Sequence, residues 1–297
     1  MKFSLITTVY NEEETILEFI NSLNQQTEYP DEVIIVDGGS TDNTVKLFER
    51  NLSKDLNFKI IVDPTCNIKY SKGPISRGRN IAISNAQFEN ILVTDAGCVL
   101  DKNWVKEIKV SFIEKKADVV CGWYKPYIVN DFQRKIADVF CPPIEKINRR
   151  KFLPSSRSIG FKKWLWKKID GYPEDTYTAE DTFFALKLFE LTDRIIFNEK
   201  AIVYWHLPKN EEELIKKLYL YGYGEGKKRL FLLKNLGRMF ILIFFPSLIV
   251  LILLGKKKPI AFKFYYHHSR GFIKGLLDSF FKTGLAIKQY TNKNHQI

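Results

Sequence analysis

Val33-Ile34-Ile35-Val36-Asp37-Gly38-Gly39-Ser40-Thr41-Asp42-Asn43-Thr44 decides the fold of this chain. Four β-branched apolar residues open it, the pattern of a strand buried on both faces of a parallel sheet. Asp37 stands where the strand ends, and Gly38-Gly39 free the backbone to turn sharply. Ser40, Thr41 and Asp42 supply helix-start chemistry, with Val45, Leu47 and Phe48 as the apolar positions of the helix that follows. Strand, acidic tip, glycine turn and helix start together make a ligand edge at the carboxyl end of a sheet. A carboxylate there repels phosphates but accepts hydrogen bonds from a base N–H or a ribose hydroxyl.

Upstream, Phe3 to Val9 reads as the first strand, with Glu12 to Glu14 in the first turn of a helix whose dipole suits them. The helix from about Thr15 to Gln25 leads through Pro30 to the central strand, and Phe58 to Val62 is a third strand stopped by Asp63-Pro64. That order is βαβαβ, a doubly wound half-sheet of an α/β fold. Ser4-Leu5-Ile6-Thr7-Thr8-Val9-Tyr10-Asn11-Glu12-Glu13, followed by Val36 to Asp42, resembles the opening of a family 2 glycosyltransferase with the GT-A fold. The resemblance runs through about His206, some two thirds of the chain. It implies a nucleotide-diphosphate sugar donor, with Thr8, Tyr10, Glu12 and Asp37 on the nucleoside side. The Tyr10 ring can stack on a base.

Lys72-Gly73-Pro74-Ile75-Ser76-Arg77-Gly78-Arg79-Asn80 sets cations and glycines before a helix expected from Ile81, a plausible diphosphate site without P-loop spacing. In the resembling family an Arg-Asn at a helix start lies close to the donor, which selects Arg79 over Arg77; Asn80 reads as a cap. Ile91-Leu92-Val93-Thr94-Asp95-Ala96-Gly97 is another buried strand running into an acid. The family pattern here is Asp-x-Asp, whose carboxylates hold a divalent cation against the diphosphate. Gly97 replaces the second acid, so the resemblance leaves Asp95 to hold Mg²⁺ or Mn²⁺ with phosphate oxygens and waters. His206, after the last strand, is expected as a second metal ligand because the family can place a histidine there. A lone histidine is otherwise more often structural.

Asp101 reads as a helix cap over Trp104, and Asp118 to Tyr124 as a further strand. Phe132 to Phe140 reads as a helix, and the basic 144–154 stretch as a mobile loop over the donor. Ser155 to Phe161 resembles segments that line the acceptor side. Trp164 and Trp166, two apart on one helix, face different ways. Glu180-Asp181 opens a helix, where acids suit the dipole. In the family the Asp of such a pair is the catalytic base of inverting transfer, accepting the proton of the attacking hydroxyl. That implies Asp181 as base and Glu180 as its supporting acid. Ile195 to Phe197 and Ala201 to Trp205 read as two closing strands.

Charge is split along the chain. All of the net +12 lies beyond residue 200, where 17 Lys and Arg face five acids. The expected division is a GT-A domain over 1–206 and a basic, aromatic helical tail over 207–297. Met239 to Leu254 carries no charge, but as a helix it spans roughly 24 Å against a hydrocarbon core of about 30 Å. Cations flank both ends, so a proline-bent, re-entrant or interfacial segment on an anionic membrane surface is expected over a simple span, a buried core helix being the bland alternative, with a second amphipathic helix over Phe262 to Phe281. Glycines at 222, 224 and 226 read as an interruption of the preceding helix. The expected location is the cytoplasmic face, peripheral or monotopic, near a saccharide or lipid-linked acceptor. The four cysteines show no zinc or disulfide spacing, and the amino terminus is too acidic for a signal peptide. A sugar nucleotidyltransferase on a related sheet is the rival enzyme. A basic nucleic-acid module lacks any recognisable motif, and no nucleic acid is expected.

Overall fold

Strand β2 (Glu32–Asp37) is buried at every position, as its unbroken apolar run requires. It lies between β1 (Phe3–Val9) and β3 (Phe58–Val62), all parallel, and β4 (Asn90–Val93) extends the parallel set beyond β1. The sheet then changes direction. β7 (Ile159–Lys162) pairs antiparallel with β4 and with β6 (Val119–Tyr127), and β8 (Ile195–His206) continues parallel to β6. β5 (Cys98–Leu100) closes the far edge, giving the order β3-β2-β1-β4-β7-β6-β8-β5. The carboxyl ends of β1, β2 and β4 therefore share one rim, which is where Tyr10, Asp37 and Asp95 leave the sheet.

The computed structural model describes residues 1–149, 152–244 and 264–280. The chain divides into two compact units, Met1–Leu207 and Pro208–Ile297. In the first, helices α3 (Pro74–Asn85), α6 (Lys163–Ile169) and α7 (Glu180–Leu191) cover one face of the sheet. Ile6, Val36, Ile83, Val93, Phe161, Tyr172 and Phe184 are packed beneath them. α1 (Ile16–Asn24), α2 (Thr44–Asn51), α4 (Trp104–Glu114) and α5 (Asp131–Phe140) complete the unit. Trp104 is wholly buried, its indole N–H donating to Ser158 Oγ at 2.8 Å.

Four local readings change. α1 begins at Ile16, so Glu12 to Glu14 precede it in a turn closed by the Glu12 carbonyl, which accepts from Thr15 and Ile16 N–H. α3 begins at Pro74 rather than Ile81, because Gly73 ends the loop and proline is preorganised for the first helical position. Arg77, Arg79 and Asn80 are thus interior to a helix, and Asn80 is no cap. The two closing strands are one twelve-residue strand, β8. β5, only three residues long, carries too little pattern to be read in advance.

The second unit opens with α8 (Glu211–Lys227), whose Asn210 side chain accepts from Glu213 N–H as an N-cap. α8 runs through its glycines without a break. α9 (Leu232–Phe244) and a helix over 264–280, α10, follow. No helix among the described residues is long and apolar enough to cross a membrane. Most of the uncharged run 239–254, from 245 onward, lies outside the described residues, as do 262, 263 and 281 of the second expected helix.

Candidate active site

The two loops that end β1 and β2 are joined side chain to backbone. Asn11 N–H donates to Ser40 Oγ at 2.8 Å, and Asn11 Oδ1 accepts from Thr41 N–H at 2.9 Å. Glu12 N–H reaches Thr44 Oγ1 at 2.8 Å, and Glu13 Oε2 accepts from Asn43 N–H at 2.9 Å. Glu13 thus satisfies a donor at the start of α2, a role read only as a dipole contact to α1. Asp37 is fully buried and organises its own turn. Its Oδ1 accepts from Gly39 N–H at 2.9 Å and Ser40 N–H at 2.8 Å, and Oδ2 accepts from Ser40 Oγ. Gly39 sits at φ +81°, and a side chain on Gly38 would stand 2.6 Å from the Cys66 carbonyl. Tyr10 is 43% exposed at this rim, its ring open to a partner. Thr8 is half-buried against α3, its Cγ2 2.8 Å from where a Cβ on Gly78 would be.

Arg79 is the largest departure from the sequence reading. It is buried, with Nη2 2.6 Å from Asp95 Oδ1 and Nη1 2.9 Å from Glu180 Oε1. Its guanidinium lies over the Tyr172 ring, 5.2 Å from the centroid. Burial opposes the charge, but Asp95 and then Glu180 outweigh it and hold the guanidinium above its ordinary range. A cation so engaged holds two carboxylates together. Arg77, two residues away on the outer face, is more than one-third exposed and pairs with Glu174 at 3.2 Å.

Glu180 and Asp181 open α7 behind Ala179, which is held at φ 63°, a strained value for a residue with a side chain. Burial first, and then the neighbouring Asp181, push the Glu180 carboxyl up to about 7 against the pull of Arg79. Asp181 is half-buried, and its Oδ2 accepts from Ser155 Oγ at 3.1 Å. Arg157 Nη1 in turn donates to Ser155 Oγ at 2.8 Å while its guanidinium lies 3.9 Å over the Trp205 ring. Burial, then Glu180 and Glu12, raise the Tyr177 hydroxyl.

Asn80 ties the loop before α7 to α3. Its Oδ1 accepts from Tyr172 N–H at 2.8 Å and Trp166 Nε1–H at 3.0 Å, and its Nδ2 donates to the Tyr172 carbonyl at 2.9 Å. Tyr172 stacks on Phe184 at 3.9 Å and shares a hydrogen bond with Ser156 at 3.0 Å. Sequence reasoning missed Asn80, Tyr172 and Tyr177 as parts of the site, while Ser155 and Arg157 fall in the segment it set on the acceptor side. Gly171-Tyr172-Pro173 was the one local sign, since Gly171 at φ +81° sits against the Asn80 amide.

His206 ends β8 with its N–H toward the Gly97 carbonyl at 3.4 Å, so its backbone adjoins the Asp95 turn. Its Nε2 is 3.0 Å from Glu18 Oε2, and Tyr127 lies against the ring at 4.4 Å. Among the described residues no three His, Cys, Asp or Glu side chains gather so as to hold a metal ion. Asp95, one-third exposed at the strand tip, suits a cation that arrives with a diphosphate and its waters.

The family model for glycosyl transferase family 2 matches residues 4–172, which hold Asp37, Arg79 and Asp95. The chain belongs to glycosyl transferase family 2. It is 30% identical over 226 residues to the poly(ribitol-phosphate) beta-N-acetylglucosaminyltransferase TarS of Staphylococcus aureus, across 74% of this chain and 38% of that protein. With the O-antigen chain rhamnosyltransferase RfbN of Salmonella typhimurium it shares 25% identity over 221 residues, 68% of this chain and 66% of that one. The chain thus spans less than two fifths of the length of TarS. The crystal structure of S. aureus TarS 1–349 with UDP-GlcNAc superposes with a TM-score of 0.57 at 27% identity, over 75% of this chain and 66% of that one. The mannosyltransferase PcManGT of Pyrobaculum calidifontis, with GDP-Man and Mn²⁺, gives a TM-score of 0.67 over 93% of this chain and 87% of that one. At 18% identity that second likeness speaks for the fold alone. The mixed sheet is of the GT-A glycosyltransferase type.

Proposed function

We propose that this family 2 protein is an inverting glycosyltransferase that moves a sugar from a nucleotide-diphosphate sugar to a hydroxyl of a saccharide acceptor. The observation that carries the reading is the Arg79 bridge. It draws the strand-tip acid Asp95 and the helix-start acid Glu180 onto one guanidinium, leaving Asp181 beside them on Ser155. Donor and acceptor chemistry require such a meeting of acids from opposite halves of a sheet. Asp181 takes the proton of the acceptor hydroxyl as that oxygen attacks the anomeric carbon and the diphosphate departs. Ser155 and Arg157 orient the carboxylate. Asp37 receives the base or ribose through the turn it organises, and the exposed Tyr10 ring stacks on the base. Glu12 acts on the nucleoside side through its loop and through Tyr177.

A divalent cation, Mg²⁺ or Mn²⁺, when bound, would neutralise charge on the departing diphosphate. Asp95 is the carboxylate that would share it. The TarS structure with UDP-GlcNAc supports a UDP-linked donor, and the named activities of TarS and RfbN support a surface-polysaccharide acceptor. The basic unit over 208–297 supports a membrane-proximal or lipid-linked acceptor at the cytoplasmic face. The test is a screen of nucleotide sugars for hydrolysis and thermal shift, with and without Mn²⁺, followed by product analysis with labelled donor. Release of nucleoside diphosphate is the expected result. Cleavage at the α-phosphate would assign a nucleotidyltransferase instead.

A further inference from the structure

Two helices of the second unit meet backbone to backbone. A Cβ on Gly222 or Gly226 of α8 would stand 1.9 or 2.1 Å from the carbonyls of His268 and Phe272. One on Gly271 or Gly275 of α10 would stand 2.0 Å from those of Tyr219 and Tyr223. Each helix thus offers a Gly-x-x-x-Gly face to the other, the pairing that lets helix axes approach most closely. The crossing buries polar groups as well: Glu225 Oε2 lies 3.4 Å from His268 Nε2 and accepts from Asn235 Nδ2 at 2.9 Å.

With that seam turned inward, the opposite side of α10 is apolar and exposed. Tyr266, Ile273, Leu277 and Phe280 recur at helical spacing with Arg270 among them, while His268, Gly271, Phe272 and Gly275 are buried. α9 carries a second such row in Leu233, 87% exposed, Leu236 and Phe240. Cations lie on aromatics of the α10 row, Arg229 over Phe280 at 4.5 Å and Arg270 over Tyr266 at 5.7 Å, and Arg238 of α9 lies over the neighbouring Tyr265 at 5.3 Å. The unit holds 17 Lys and Arg against five acids. Of those acids Glu225 is turned inward, Asp278 is bonded to Lys274 and Tyr223, and the other three stand in the first turn of α8.

We propose that α9 and α10 form a docking face for an anionic lipid bilayer, lying in the headgroup plane rather than spanning it. Apolar rows bracketed by cations match an interface whose surface is negative and whose interior is hydrocarbon. A soluble polyanion would satisfy the cations but gives no reason for seven large apolar side chains to stand in water. The proposal deepens the membrane-proximal reading of the acceptor and rests on it for its biological setting. Its test uses no substrate, so its failure leaves the transfer chemistry standing.

The full chain should co-float with vesicles of phosphatidylcholine and phosphatidylglycerol, and much less with phosphatidylcholine alone. Leu233→Glu with Phe240→Glu should weaken that partition roughly tenfold or more, with the melting temperature and nucleotide binding kept. Leu233→Cys gives a readout that does not depend on disrupting the face, since the four native cysteines are all buried. An environment-sensitive dye there should shift to the blue on anionic vesicles and stay unshifted with dextran sulfate. An unshifted dye on vesicles, flotation unaffected by the two glutamates, or equal binding to dextran sulfate would each overturn the proposal.

Discussion

Arg79 and Glu180 lie 101 residues apart in the chain, and their side chains meet at 2.9 Å in the protein interior. The same guanidinium reaches Asp95 at 2.6 Å, so a single helical residue joins the tip of β4 to the start of α7. The relationship explains why so buried a cation is tolerated: two carboxylates and the Tyr172 ring replace the water it has lost. It also couples the acid beyond β4 to the acid at the start of α7.

Removing the bridge should therefore cost both stability and turnover. Arg79→Met leaves Asp95 and Glu180 without their guanidinium, a loss of up to about 3–5 kcal/mol where Glu180 is ionised, above pH about 7. Arg79→Lys should recover only part, because an ammonium cannot offer two separate N–H groups in the fixed plane of a guanidinium. Urea denaturation and donor turnover on both variants measure this. Wild-type stability in Arg79→Met would show that the bridge holds nothing.

Glu180 predicts a pH dependence of stability. In the unfolded chain it ionises near the ordinary value of 4.5, but in the fold it keeps its proton to about 7. Between those values the native state binds the extra proton, so raising the pH favours the unfolded chain. This group's contribution is most favourable below its unfolded value. It is lost as pH rises through the window and is fully lost above the folded value. Glu180→Gln keeps an oxygen for Arg79 but cannot ionise. Subtracting its melting temperatures from those of the wild type across pH 4.5–7 should isolate a falling slope. Parallel profiles would place the titration on another group.

The half-sheet was legible because β2 is a run of β-branched residues and Asp37-Gly38-Gly39 is an acid and a turn in consecutive positions. The family motifs extended that reading to Asp95 and to the Glu180-Asp181 pair. What stayed hidden depends on partners remote in sequence. Nothing near Arg79 says that it will be buried, because its partners arrive from residues 95 and 180. Asn80 looked like a cap because the helix start was set at Ile81; once Pro74 begins the helix, its amide is free to clamp the Tyr172 loop. The tail glycines looked like an interruption for the same reason, since the helix that fills their seam lies some fifty residues further on.

Asp37 needs a gentler substitution than alanine. Its carboxylate accepts bonds from Gly39, Ser40 N–H and Ser40 Oγ, so truncation would release the turn along with any bound nucleoside. Asp37→Asn keeps Oδ1 as the acceptor for both backbone N–H groups, and its amide can donate to the serine hydroxyl. Folding should be near normal while nucleotide affinity falls by about 1.5–3 kcal/mol, the range for a hydrogen bond to a charged group. Calorimetry with nucleoside diphosphate, paired with a thermal melt, reads the two effects apart. Unchanged affinity in a folded Asp37→Asn would confine Asp37 to the turn.

Asp181 separates chemistry from helix capping. A residue that only starts α7 needs an oxygen acceptor, which asparagine supplies as well as aspartate. A general base must take a proton, and an amide cannot. Asp181→Asn should thus keep folding and donor binding while transfer falls about 10²–10⁴-fold. Ser155→Ala removes the hydroxyl that holds Asp181 Oδ2 at 3.1 Å and leaves the carboxylate itself in place. Its loss should be smaller and should fall on turnover rather than on donor affinity, since a misdirected base slows the attack without weakening the nucleotide. Glu180→Gln should lose less than Asp181→Asn, mainly through acceptor affinity. Steady-state transfer at saturating donor, with melts on all three variants, gives the ranking. Should Asp181→Asn turn over at the wild-type rate, Asp181 is a helix-start acid and the proton goes elsewhere.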